Sequence, residues 1–199
     1  MSMIHELMMK KKGMPSRYQE VEYIESTGTQ YIDTGYIAKK NTVFEVDCAF
    51  TDLSAGRNGS LWASGNDSRR YYFGVLSSKF IGANSTLYNH NIQDADTQRH
   101  KFAIKQDGIY IDDINVYSSS AVYGYTAKIY LFAINDTGMT SGVNYYCKQK
   151  MYGSKIWDNG TLVRNYIPVY DTETQKYGMW ESVQGKFYGN DGTGDFAGA

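Results

Sequence analysis

Val43-Phe44-Glu45-Val46-Asp47-Cys48-Ala49-Phe50 alternates without a break, with Phe44, Val46, Cys48 and Phe50 on one side of an extended chain and Glu45 and Asp47 on the other. That period of two is the mark of a strand with one face in a core and one in water. Downstream, Lys101 to Asp113 reads as a hairpin about Asp107-Gly108, which sets Ile104 opposite Ile111 and Lys105 opposite Tyr110. Lys128-Ile129-Tyr130-Leu131-Phe132-Ala133-Ile134 is apolar on both parities and predicts a central strand covered on both faces, with Tyr130 in the core. Met151 to Trp157 and Leu162 to Val169 are strands joined by Asp158-Asn159-Gly160, and Tyr177 to Trp180 and Lys186 to Tyr188 are joined through Gln184-Gly185. No sustained helical stripe follows Pro15, so the class is all-β, an antiparallel sheet large enough to fold over into a two-sheet sandwich.

Composition agrees. The 199 residues suffice for one core, and 19 Tyr and 20 Gly with only 2 Pro suit short strands joined by glycine turns. A formal net charge of -1 gives no electrostatic attraction for nucleic acid, and no apolar run is long enough to span a bilayer. Five of the 8 methionines fall within the first 14 residues, where Ile4, Leu7 and Met8 share a helical face ahead of Gly13 and Pro15. The apolar residues precede Lys10-Lys11-Lys12, the reverse of a signal peptide. Residues 1–16 are therefore expected to be a separate helical or extended segment for anchoring or oligomerisation, and 17–199 the sandwich. A helix this short is marginal alone, so it is either disordered or docks its stripe on a partner or another copy. Cys48 and Cys147 read as buried small residues, since two cysteines in a chain with a full core do not make a disulfide framework.

Three strings carry a resemblance. They are Tyr23-Ile24-Glu25-Ser26-Thr27-Gly28-Thr29-Gln30-Tyr31-Ile32-Asp33-Thr34-Gly35, then Lys155-Ile156-Trp157 with Leu162 to Pro168, and finally Gly185-Lys186-Phe187-Tyr188-Gly189-Asn190-Asp191-Gly192-Thr193-Gly194. Over about Tyr18 to Phe196 the chain resembles the concanavalin A-like (laminin G-like) jelly-roll modules of phage and prophage structural proteins and of gut-bacterial surface proteins. The resemblance implies two antiparallel sheets face to face, first and last segments close together, and a non-enzymatic role.

Some sandwiches of this kind resemble glycoside hydrolases with three acids in an E-x-D-x-E strand, but here Ala49 stands third after Glu45 and Asp47, and the pair reads as a solvated strand face. His5, His90 and His100 have neither a nucleophile elbow nor zinc-ligand spacing around them. For calcium the candidates are Asp94 and Asp96, with Asp112-Asp113 and Asp191 to Asp195 behind them; Asp and Gly also serve turns. The best aromatic–polar cluster for a glycan is Trp62, Asp67, Arg70, Tyr71 and Tyr72, with Trp180 and Tyr188 weaker.

These readings lead to a virion module of a phage or prophage, made in the host cytoplasm and displayed on the particle as a decoration, fibre or tail-associated protein. It is expected to be a homo-oligomer held by contacts with itself and other virion proteins, without cofactor apart from the calcium candidates. The alternative is a lectin-like carbohydrate-binding module of a bacterial surface protein, and adhesion to host glycans is compatible with both.

Overall fold

A computed structural model describes residues 13–53, 58–66, 69–83, 90–120, 127–135 and 142–199, with side chains left out for 58–66, 69–70 and 90. The N-terminal stripe Ile4, Leu7 and Met8 lies outside the described residues, as does Asp67. In chain order the strands are β1 (Tyr18–Glu20), β2 (Ile24–Thr27), β3 (Ile32–Ile37), β4 (Thr42–Phe50), β5 (Asn58–Asn66), β6 (Arg69–Leu76), β7 (Lys79–Ala83), β8 (His90–Asp94), β9 (His100–Lys105) and β10 (Gly108–Ile111). They continue as β11 (Ile114–Ser118), β12 (Lys128–Leu131), β13 (Ile134–Asn135), β14 (Val143–Asn144), β15 (Lys148–Asp158), β16 (Thr161–Asp171), β17 (Lys176–Glu181), β18 (Lys186–Tyr188) and β19 (Ala197–Gly198).

These form a jelly-roll sandwich. The larger sheet runs β11-β10-β9-β4-β15-β16-β17-β18, with β1 on β16 and β2 linking β15 to β19; the smaller runs β14-β13-β5-β6-β7-β8, with β12 between β5 and β3. Pairing is antiparallel except for a single parallel bridge of β13 to β5, Asn135 to Ala63. The expected face of β4 is buried, with Phe44, Val46 and Cys48 fully so, and it meets Tyr71, Phe73 and Phe80 of the smaller sheet. Phe102 on β9 sits where the sheets meet, its ring centroid 4.1 Å from Phe73 and 5.2 Å from Phe80.

Turn chemistry fixes the register. Asn159 and Gly160, with φ of 50° and 76°, form the two-residue turn between β15 and β16, both in the left-handed region that a type I′ hairpin requires. The β9–β10 hairpin differs from expectation by two residues. Gln106-Asp107 is its turn, so Lys105 faces Gly108 and Ile104 faces Ile109. A shift of two preserves which face each residue occupies. At Gly108 a Cβ would lie 2.3 Å from the Tyr117 carbonyl, so the close approach of β11 claims that glycine for the strand and not for the turn.

The run Lys128–Ile134 is likewise not one strand. Phe132 takes φ 68°, accepts the Cys147 N–H at 2.7 Å, and packs fully buried on Phe196, separating β12 from β13. The run is apolar on both parities because the chain bends inside the core. Tyr130 is consequently half-buried, against Tyr31, and not a core residue.

The strings that carry the resemblance turn out to be structural. Gln30, 2% exposed, accepts the Thr27 N–H at 2.9 Å and the Ser26 hydroxyl at 3.1 Å, closing the turn after β2. The last loop docks there: Thr193 N–H donates to the Thr29 carbonyl, Asn190 Oδ1 accepts from Tyr31 N–H, and Asp191 accepts from Asp33 N–H. First and last segments thus lie together, as the resemblance implies. Cys48 and Cys147 are both free and fully buried, and burial pushes both thiols well above the ordinary range.

Candidate functional site

The outward face of the larger sheet carries a groove of about 370 Å³ where β1, β4, β9, β15 and β16 run side by side. Its lining comes from strands far apart in sequence. Glu45 and Asp47 enter from the outward side of β4, Lys101 from β9, Arg99 from just before it, Tyr152, Gly153 and Lys155 from β15, and Asn165 and Ile167 from β16. Glu20, Val21 and Glu22 close one side.

Tyr152 reaches the groove because of a β-bulge. Met151 pairs with Cys48 and Gly153 with Asp47, leaving Tyr152 as the extra residue where β15 exchanges β2 for β16 as its neighbour. The ring is held on two sides. The Arg99 guanidinium lies 3.8 Å over it, and Tyr23 meets it edge-on at 5.6 Å, with Lys150 Nζ 4.3 Å over Tyr23 in turn. Arg99 Nε and Nη2 also donate to the two Asp47 carboxylate oxygens, each at 2.7 Å. These charge-assisted bonds raise the Arg99 pKa further, and the Glu45 charge foremost raises that of Lys101. On the opposite wall Asn165 is pinned. Its N–H donates to Glu181 Oε1 and its Nδ2 to Ser182 Oγ, both at 2.8 Å.

Such a surface combines stiff aromatic rings with carboxylate, amide and guanidinium groups held in fixed positions, so it offers both apolar faces and hydrogen-bonding groups to a small polar ligand. Glu45 and Asp47 are therefore part of a concave site and more than a solvated strand face. Ala49, buried, still stands where a third acid is needed for hydrolysis.

The glycan cluster expected from sequence is elsewhere and differently built. Tyr71 and Tyr72 are 1% and 2% exposed, so neither faces a ligand. Alternation does send them to opposite faces of β6, but both faces are covered: Tyr71 joins the main core and donates to the Ile104 carbonyl at 3.1 Å, while Tyr72 packs with Ile81, Ala83 and Ile134. Trp62 lies on β5 opposite Tyr72 and Tyr130, and Arg70 lies on β6 opposite Ser64; their side chains, like Asp67, are outside the described residues. Trp180 is buried beneath Tyr18, and Tyr188 stands edge-on to Tyr166 at 5.5 Å. The calcium candidates have other partners. Asp94 pairs with Lys79, and Asp96 accepts from Gln98 N–H at 2.8 Å and faces His100 Nε2 at 3.0 Å. Among the described residues no three acids, histidines or cysteines gather as a metal site.

One signal for the groove was present in the sequence. Met151 and Ile156, both fully buried, are an odd number of positions apart, so strict alternation cannot bury both, and Gly153 between them marks the bulge.

On the inward side of β9, where its ring meets Phe80 and Phe102, His100 is held between two carboxylates, with Nδ1 2.6 Å from Asp112 and Nε2 3.0 Å from Asp96. Burial disfavours its cation, but hydrogen bonds to Asp112 and Asp96 outweigh this and raise the pKa above the ordinary 6.5. A raised histidine stabilises the fold fully below 6.5 and ceases to do so as pH climbs through the raised value. Asp112, although desolvation opposes it, is lowered below 3.8 by the Lys101 N–H and by His100, and its contribution is lost as pH falls through that lowered value. Thermal melting followed by calorimetry should show a midpoint that falls between about pH 6 and pH 9 in the native chain and falls less in His100→Gln; equal slopes would refute the clamp.

No family model matches the chain, and no curated protein matches it. Among solved structures it is similar to the Ruminococcus gnavus IT-sialidase CBM40, with a TM-score of 0.50 and 11% identity over 70% of this chain and 90% of that one. The same module bound to alpha2,3 sialyllactose matches with a TM-score of 0.49 and 10% identity, again over 70% and 90%. At such identity the likeness establishes one thing, the all-β sandwich.

Proposed function

We propose that the chain is a non-catalytic glycan-binding module whose sugar site is the groove on the outward face of the larger sheet. The observation that carries this is the braced Tyr152 ring, with Arg99 on one side and Tyr23 at its edge, standing beside Glu45, Asp47 and Asn165. A pyranose presents an apolar C–H face and a rim of hydroxyls. Rings take the first, and ionised side chains held by their own bonds take the second. The similarity to a module named for carbohydrate binding agrees with this reading. The virion setting rests on the sequence resemblance alone, and glycan recognition stands without it.

The test is a glycan array followed by calorimetric titration of the best hit. Saturable binding is expected for the native chain, with Tyr152→Ala weakened by about thirtyfold, the order of 2 kcal/mol for an aromatic contact residue. Tyr152 is half-buried at a bulge, so the variant should keep a cooperative melt. Absence of any saturable glycan binding by the native chain overturns the proposal.

A further inference from the structure

The charges of the groove are arranged unevenly. Four carboxylates line it, Glu20, Glu22, Glu45 and Asp47, against the cations Arg99, Lys101 and Lys155. Each cation is engaged. Arg99 gives its Nε–Nη2 edge to Asp47 and its face to Tyr152, and Lys101 Nζ donates to Asp113 at 3.3 Å while facing the Glu45 charge. Lys155 has partners of its own. Glu20 and Glu22, both exposed, have no salt-bridge partner among the described residues.

We infer that the groove selects uncharged oligosaccharides and rejects glycans that carry a carboxylate. The inference rests on the glycan-binding reading and adds the ligand class. The guanidinium available already has its Nε–Nη2 edge on Asp47, so its charge is matched by a carboxylate of the site before any sugar carboxylate arrives. Taking it away would strand Asp47 beside Glu22 and Glu45. A carboxylate placed elsewhere in the groove would meet unneutralised like charge at short range in a partly desolvated site. Sugar hydroxyls have neither difficulty, because they donate to Glu45 and Asp47 and leave the Asp47–Arg99 pair intact. Rejection thus comes from a repulsive element built into the site, and neutral ligands keep the attractive one.

The experiment compares matched probes: neutral oligosaccharides on an array beside the same oligosaccharides capped with a carboxylated sugar, with lactose and sialyllactose as one such pair. The expected result is binding of a neutral member with its capped counterpart about tenfold weaker or more, a gap that narrows as salt is raised. Glu20→Gln/Glu22→Gln, at exposed positions, should narrow the gap in low salt, and Asp47→Asn, which releases Arg99, should raise affinity for the capped probe. Capped glycans bound as well as neutral ones or better, and lost in Tyr152→Ala, overturn the inference and leave the glycan-binding reading standing. If no glycan of either kind binds, the reading itself falls and the inference with it.

Discussion

Replacement of Phe102 by alanine is expected to destabilise the fold by about 4 kcal/mol, a large part of what a domain of this size has in total. The side chain is 2% exposed and belongs to the larger sheet, yet its ring lies against Phe73 and Phe80 of the smaller one, with Phe50 completing the cluster at 6.0 Å. Truncation would remove contacts across the sheet–sheet interface and leave a cavity that neighbours fixed on two separate sheets cannot collapse to fill. Urea denaturation should show the midpoint falling with the slope unchanged. A loss under about 1 kcal/mol would mean that the cluster does not join the two sheets.

A loss of similar size, about 3 to 5 kcal/mol, is expected for Glu181→Ala. Glu181 is fully buried, and its carboxylate accepts three backbone N–H groups, from Asn165, Val183 and Gln184, at 2.8 to 2.9 Å. Alanine leaves those donors without an acceptor, the Asn165 N–H buried and those of Val183 and Gln184 part-buried, and the cost is desolvation of the first as well as the lost bonds. Glu181→Gln keeps one acceptor oxygen and should fall between. The consequence reaches the groove, because Asn165 is one of its lining residues and takes its position from Glu181 and Ser182. Amide exchange at Asn165, Val183 and Gln184 should accelerate in the alanine variant; protection equal to the native chain would show that water or another group replaces the carboxylate.

What the sequence revealed of the fold was whatever depends on neighbouring residues. The alternation of β4 and the Asn159-Gly160 turn are local, and both stand in the structure as read. The errors arose where tertiary contacts decide. Gly108 resembled a turn residue until the nearness of the Tyr117 carbonyl explained it, and Lys128–Ile134 resembled a straight strand because a bend within a core is as apolar as a strand covered twice. The site was less legible than the fold. Tyr71 and Tyr72 attracted notice through adjacency to arginines, which says nothing about whether the far face of a sheet is covered. Arg99, Tyr152 and Asn165 are each unremarkable along the chain, and they become a site only when β9, β4, β15 and β16 lie side by side with Tyr152 displaced outward.

That displacement bears on what the strand tolerates. Removing a residue from the middle of a sheet strand ordinarily inverts every side chain beyond it. Deleting Tyr152 would not, because Met151 already pairs with Cys48 and Gly153 with the adjacent Asp47, so the shortened strand would run in regular register with all its flanking residues facing as before. The groove would lose its ring and the core would keep every contact. A single-residue deletion at this position thus alters the groove while the sheet and the core stay as they are.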